Sequence, residues 1–347
     1  MSAALECAIG RIIHECNLVE PGSTVITAVS GGPDSMALLH IFAALRQRLS
    51  CDPVAVYVDH GLRPDETPAE IACVRQAADI LSLPCDIVPV TTREFAAKEK
   101  LSIEHAARNL RYQALRSCAK KYGATRIAVA HTADDQAEEV LLRLLRGSGR
   151  TGLAGMRLFS KDVIRPLLTT AKNRILEYLA GNKIAFCHDS SNDDLCYLRN
   201  RVRHVLLPLL ENEFDPGIRR SLLKTADNLS EDEDFFHGIV DAACRQLVTA
   251  EADEKGGALY VLDRAGFVGL HSCLQRRLVE RLLWAVGCPA RYTFIIDIQA
   301  AAVGGRTGSE LHLSRGLRVG VTRETLRFSY PRGKTSWRGS LRGLEKR

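Results

Sequence analysis

Hydrophobic positions in the first half of the chain come as short apolar runs separated by longer amphipathic stretches. Residues 24–29 (TVITAV), 54–58 (VAVYV), 86–90 and 126–130 (RIAVA) read as buried strands. Helical patterns follow over 35–48, 68–81, 102–121 and 134–146. Repeated β-α units of this kind predict an α/β fold, a parallel sheet with helices on both faces. Such sheets bind ligands at the carboxyl ends of their strands. The loops after Val29, Val58 and Ala130 are therefore expected to face one another across a single site.

From about residue 206 the pattern changes. Helical periodicity dominates over 218–229, 234–247 and 270–286, and a short β-like segment follows at 311–328. The spacing predicts a first domain over 1–210, a smaller, mainly helical C-terminal domain over 211–330, and a tail over 331–347. Pro208 and Pro216 mark the expected boundary.

Composition narrows the class without naming a function. The 347 residues, 46% hydrophobic and 25% charged, suit an ordinary globular protein of two domains. The formal charge of +6 is concentrated at the end, where Arg332, Lys334, Arg338, Arg342, Lys346 and Arg347 face one acid, Glu345. That tail reads either as a phosphate-contacting arm or as a solvated chain end. Eleven cysteines occur singly with no C-x-x-C pair, which argues against zinc and iron–sulfur spacings and for reduced thiols. The opening residues lack a signal-peptide pattern, and no uncharged apolar run approaches the roughly 20 residues of a membrane span. A cytoplasmic protein without membrane association is expected. The sequence says nothing of oligomeric state.

The most informative stretch is Ser30, Gly31, Gly32, Pro33, Asp34 and Ser35, set between a strand and a helix. Adjacent glycines let the backbone approach an anion, and the helix N-terminus adds its positive dipole end. Hydroxyls of Ser30 and Ser35 are expected to add donors. The bland alternative is a tight turn capped by Asp34 or Ser35. No Walker-type loop lysine is present, so charge on a departing pyrophosphate must be met by Mg²⁺ or by arginines from elsewhere. A second glycine loop, residues 147–152, follows a helical run and is expected to be a helix end.

SGGPDS after a first strand resembles the signature of the PP-loop, or N-type, ATP pyrophosphatases. Further blocks narrow the resemblance: EHAARNLRY (104–112), HTADDQAE (131–138), GSGRTGLAGM (147–156), RPLL (165–168) and DSSNDDLCYLRNRVR (189–203). Together they resemble the tRNA(Ile)-lysidine synthetase family, densely over 20–210 and more faintly to about 328. The resemblance implies a Rossmann-like ATPase fold, ATP and Mg²⁺ as cofactors, and isoleucine tRNA with a CAU anticodon and L-lysine as partners. It implies adenylation of the wobble cytidine, then attachment of lysine with release of AMP.

Roles follow residue by residue, each beside a plainer one. Asp34 is read as linked to Mg²⁺, or as an N-cap. Asp59 and His60 contact adenosine or begin a polar loop. Glu104, Arg108 and Arg111 share one helix face. The resemblance makes Arg108 and Arg111 phosphate clamps, whereas the plain account is a surface pair of Glu104 with Arg108. His131 is placed for the α-phosphate. Asp135 and Glu138 are placed for the lysine amine, although Thr132 and Asp135 also fit a capping signature. Two basic strips, Arg199–Arg201–Arg203 and Arg116–Lys120–Lys121, are candidates for tRNA phosphate contacts or solvated faces. Two departures stand out. Glu139 occupies a position usually held by Thr, expected to alter the acidic pocket. A second C-terminal domain of longer members is expected to be missing, altering acceptor-stem recognition. The alternative functions are a PP-loop tRNA thiolase and a non-catalytic tRNA-binding protein.

Overall fold

A computed structural model of the chain describes residues 2–187, 195–252 and 258–330. The expected basic tail over 331–347 lies outside the described residues, as do positions 189–194 of the block ending at Arg203. Two compact units are formed, Met1–Ser230 and Glu231–Arg347.

The first unit runs α1 (Ser2–Glu15), β1 (Thr24–Ala28), α2 (Pro33–Leu49), β2 (Asp52–Asp59), α3 (Thr67–Leu81), β3 (Cys85–Pro89), α4 (Thr92–Glu99) and α5 (Ile103–Tyr122). It continues with β4 (Arg126–Ala128), α6 (Ala133–Leu145), α7 (Arg150–Leu153), β5 (Phe159–Ser160), β6 (Val163–Ile164) and α8 (Lys172–Gly181). The strands line up in the order β3-β2-β1-β4-β6-β5. All neighbours are parallel except the β5–β6 edge hairpin. The expected parallel α/β sheet is therefore present.

Strand alternation divides the core into two layers. Val25 of β1 packs with α1, α2 and α8 on one face, where Ile9, Ile13, Phe42 and Ile175 are almost fully buried. Ile26 packs on the other face against Leu115 and Cys118 of α5. Helix α2 is covered on most sides, which explains its nearly continuous apolar sequence (MALLHIFAAL). The chain lays down β1, β2 and β3 in one direction and then crosses back to place β4 beside β1. In such sheets the reversal marks the usual ligand position, here at the carboxyl ends of β1 and β4.

After α8 come α9 (Leu198–Arg201), a π-helical turn (Val202–Leu206), α10 (Leu207–Glu213) and α11 (Ile218–Leu247). The division at residue 230 falls beyond the boundary expected near 210. Val202 and Leu207, with Leu206, Leu210 and Leu222 beside them, pack on Leu141 and Leu142 of α6 and so belong to the first unit. The two helices expected over 218–247 are one. The acidic run between them contains neither Gly nor Pro, and its Glu233 is buried against Arg277 at 2.5 Å.

The second unit is helical with more sheet than expected. Strands β7 (Val248–Ala252), β8 (Ala258–Asp263), β9 (Glu310–His312), β10 (Arg318–Val321) and β11 (Thr325–Ser329) form an antiparallel sheet in the order β7-β8-β11-β10-β9. Helices α12 (Arg264–Gly269), α13 (Ser272–Ala285) and α14 (Tyr292–Gly304) pack with it around Leu262, Phe267, Leu282 and Phe328. Tyr260, Val261 and Leu262 are all buried, so β8 shows no alternation to betray a strand. No helix among the described residues is long and apolar enough to cross a membrane.

Candidate active site

The SGGPDS loop joins β1 to α2 as expected. Gly31 takes φ +80°, and a Cβ there would press to 3.4 Å of Glu70 on α3. Both the conformation and the space therefore favour glycine. Pro33 occupies the first turn of α2, where its missing N–H costs nothing. The loop is braced from within: Ser30 N donates to Ser35 Oγ at 3.0 Å, and Ser35 Oγ donates to Gly32 O at 2.9 Å. The Ser35 hydroxyl is thus engaged inside the loop, contrary to its expected role as a free donor to phosphate. Cys187 N fastens the loop from outside by donating to Gly31 O at 2.8 Å.

Asp34 is the second residue of α2 and is not an N-cap; Gly32 holds that position without a side-chain cap. Both Asp34 oxygens lie 2.5 Å from Lys172 Nζ, a partner from the start of α8 that sequence reasoning missed. Burial raises the Asp34 pKa, Lys172 opposes that rise, and the charges of Asp135 and Arg203 also act on it. The loops after β1 and β4 therefore share one electrostatic site. Asp134, beside Asp135, accepts from Lys172 N at 2.8 Å and from Arg219 at 3.0 Å.

A set of basic side chains gathers around His131 and Tyr112. His131 Nδ1 accepts from Arg165 Nε at 3.2 Å, which leaves the imidazole proton on Nε2. Burial, more than any nearby charge, pushes the His131 pKa down to about 3. Arg165 itself is buried and donates also to Arg157 O at 2.9 Å. Arg108, Arg111 and Arg116 gather around the Tyr112 ring at 5.3, 5.6 and 5.7 Å, so Arg108 stacks on an aromatic face. Arg111 Nε is buried with no hydrogen-bond partner among the described residues, and burial with the nearby Arg108 and Arg199 charges lowers its pKa. A buried guanidinium N–H without a partner is unfavourable unless an acceptor such as an anion completes it.

Arg111 also acts on His60, whose pKa burial lowers and whose Nδ1 lies 3.3 Å from Thr92 Oγ1. Asp59, by contrast, accepts from Gly61 N at 2.8 Å and forms the polar turn of the plainer reading.

The acids after β4 carry two roles at once. Asp135 closes a capping box, accepting from Thr132 N at 2.9 Å. Its other oxygen accepts from Arg199 and Arg203, each at 3.1 Å. Glu138, 1% exposed, accepts from Arg199 Nε at 3.0 Å and Arg203 Nε at 2.6 Å. Two arginines of the strip expected to face outward thus turn inward to the acids. In the other strip, Arg116 pairs with Asp162 at 2.6 Å and Lys121 with Asp86 at 2.7 Å.

Glu139, the residue expected to alter the acidic pocket, is engaged with its own helix. It pairs with Arg143 at 2.7 Å, one helical turn on, and Arg143 donates to Gly152 O and Gly155 O. The second glycine loop follows α6 as a helix end, with Gly147 at φ +71°. Gln136 clasps Met156 by both backbone groups, at 2.9 and 2.7 Å, and holds this loop to α6.

Comparison with known proteins gives this geometry a family. A model of the PP-loop domain family matches residues 2–210. A tRNA(Ile)-lysidine synthase of Geobacter sulfurreducens is 35% identical over 88% of this chain and 64% of its own length. Those of Bacillus subtilis (32% identical, 93% and 69% covered) and Thermobifida fusca (35%, 83% and 84%) are similarly related. The chain thus spans about two thirds of the length of the first two of these relatives. Among solved structures, the U34-tRNA thiolase NcsA of Methanococcus maripaludis with its [4Fe-4S] cluster aligns with a TM-score of 0.52. Its identity is 18%, with 65% of this chain and 80% of that one covered, a likeness of fold alone. With its PP-loop domain over residues 2–210, the chain belongs to the tRNA(Ile)-lysidine synthase family.

Proposed function

We propose that the chain is an ATP-dependent carbon–nitrogen ligase that joins L-lysine to the wobble cytidine of isoleucine tRNA bearing a CAU anticodon. The observation that carries this reading is Arg111. Its buried Nε has no hydrogen-bond partner among the described residues, and its charge acts on a neutral His131 beside the acids after β4.

In the first step the cytidine 2-oxo oxygen attacks the α-phosphorus of ATP, and pyrophosphate leaves. Arg108 and Arg111 stabilise the charge that develops on the phosphates, and His131 Nε2–H donates to the α-phosphate. The loop from Ser30 to Ser35 holds the phosphates with backbone N–H groups and the dipole of α2. Asp34 is the loop carboxylate, and no group of three or more metal-ligating side chains occurs among the described residues. That donor set fits Mg²⁺ as enzymes usually hold it, by phosphates, water and one or two carboxylates. Asp34 would hold Mg²⁺ there, and the ion would supply charge neutralisation on the phosphates.

In the second step the lysine ε-amine displaces AMP from the activated carbon. Asp135 is the more open acid, 14% exposed against 1% for Glu138. Asp135 therefore meets the cationic α-amine of the substrate lysine, Glu138 fixes Arg199 and Arg203 around it, and the acid pair helps the ε-amine lose its proton. The test is transfer of labelled lysine to a CAU isoleucine tRNA transcript. Label is expected in the RNA only when ATP is present, and its absence beside an active control enzyme contradicts the reading.

A further inference from the structure

The loop lacks the lysine with which Walker-type loops hold the terminal phosphates of a nucleotide. The fold delivers one from elsewhere. Lys172, at the start of α8, lies 138 residues beyond Asp34 in the chain, yet its Nζ reaches both Asp34 oxygens at 2.5 Å. Its backbone is anchored independently, since Asp134 accepts from Lys172 N at 2.8 Å. Ala133 N also bonds Thr170 O at 3.0 Å, tying the preceding residues to the start of α6. The side chain is thus a flexible cation on a fixed base, 36% exposed and set against a carboxylate that is 28% exposed.

That pair joins the first turn of α2 to the start of α8, where phosphates held by the loop would add negative charge beside Asp34. An ammonium can remain on Asp34, or it can follow the phosphates while a divalent cation takes over the carboxylate. We propose that Lys172 is the pyrophosphate-binding lysine of this site, resting on Asp34 before nucleotide binds and turning to the β- and γ-phosphates when it does. The inference rests on the reading of the loop as the ATP site. It assigns Lys172 direct contact with the leaving group, so its role is catalytic. The competing account makes Lys172 a strut that only ties α2 to α8.

Equilibrium binding to the full chain separates the two. Lys172→Met, with Lys172→Gln as a second variant, is compared with wild type for ATP affinity at saturating Mg²⁺. Binding of Mn²⁺ without nucleotide is measured in parallel by electron paramagnetic resonance. The ATP affinity is expected to fall about tenfold or more, as for loss of a hydrogen bond to a charged group. The Mn²⁺ affinity is expected to rise several-fold in either variant as Asp34 is released, and Lys172→Arg to restore part of the ATP affinity. A strut predicts the opposite for the metal, since a loosened α2 weakens Mn²⁺ and ATP together. Unchanged ATP affinity, or Mn²⁺ binding no tighter than wild type, overturns the proposal. Failure of the underlying reading shows separately, because the wild-type chain itself then binds no ATP and both fall.

Discussion

Arg203 Nε lies 2.6 Å from Glu138 Oε1, and the same guanidinium bonds Glu138 Oε2 at 3.0 Å and Asp135 Oδ1 at 3.1 Å. With Arg199 this makes a charge-balanced cluster of two acids and two arginines at the carboxyl end of β4. The cluster costs desolvation to build, and breaking it by removing one member leaves charge behind.

Glu138→Ala should therefore destabilise the fold as well as lower activity. Loss of a fully buried partner costs about 3–5 kcal/mol, and the water-accessible side of both arginines reduces that to about 2 kcal/mol. Urea unfolding followed by circular dichroism measures it. Wild-type stability in the variant contradicts the assigned pairing.

Arg111 behaves oppositely. Its guanidinium has burial without a bonded anion at Nε, so Arg111→Met should leave thermal stability unchanged or raise it. ATP-dependent activity should drop by about a hundredfold, in the range for losing one preorganised donor to transition-state charge. Initial rates against ATP concentration, beside a melting curve, test both halves. A variant that melts early yet turns over normally contradicts the assignment.

His131 should stay neutral across physiological pH. Its pKa is pushed from 6.5 to about 3, chiefly by burial. Between those values the unfolded chain takes up a proton that the folded chain refuses. The His131 contribution to stability is thus complete above pH 6.5 and is lost progressively as pH falls toward 3. Nuclear magnetic resonance of the imidazole Cε1–H should show no titration from pH 8 to 5. A midpoint near 6.5 contradicts the environment described.

Gly155→Ala should cost about 1–3 kcal/mol, since the residue sits at φ +70° and its added carbon falls 2.6–2.8 Å from the Gln136 amide. Differential scanning calorimetry is the check, with an unshifted melting temperature the contrary result.

Much of the site is contiguous in sequence and was therefore legible. A strand, two glycines and a helix start follow one another from Thr24 to Ser35, and His131 through Glu138 follow a strand in the same way. The pairing of Glu139 with Arg143 also had a signal, an acid four residues before a base, that the expectation of an altered pocket passed over. So was α1, whose Leu5, Ile9 and Ile13 recur at helical spacing and are buried.

Lys172, and the part Arg165 plays within the RPLL block, were hidden for a physical reason. Both residues follow the two-residue strands β5 and β6, too short for periodicity to register, and meet Asp34 and His131 only through the crossover that sets β6 beside β4. The inward turn of Arg199 and Arg203 was equally invisible. A run of alternate arginines looks like a solvated strip until its partners on another helix are known.

The most direct test of the central claim is the mass of the wobble nucleoside. The protein is incubated with a CAU isoleucine tRNA transcript, ATP and lysine, and the RNA is then digested and analysed by mass spectrometry. The predicted result is a wobble cytidine carrying one lysine, with one AMP and one pyrophosphate formed for each. Unmodified cytidine in a protein that binds ATP, or ATP cleavage indifferent to lysine and tRNA, contradicts the account.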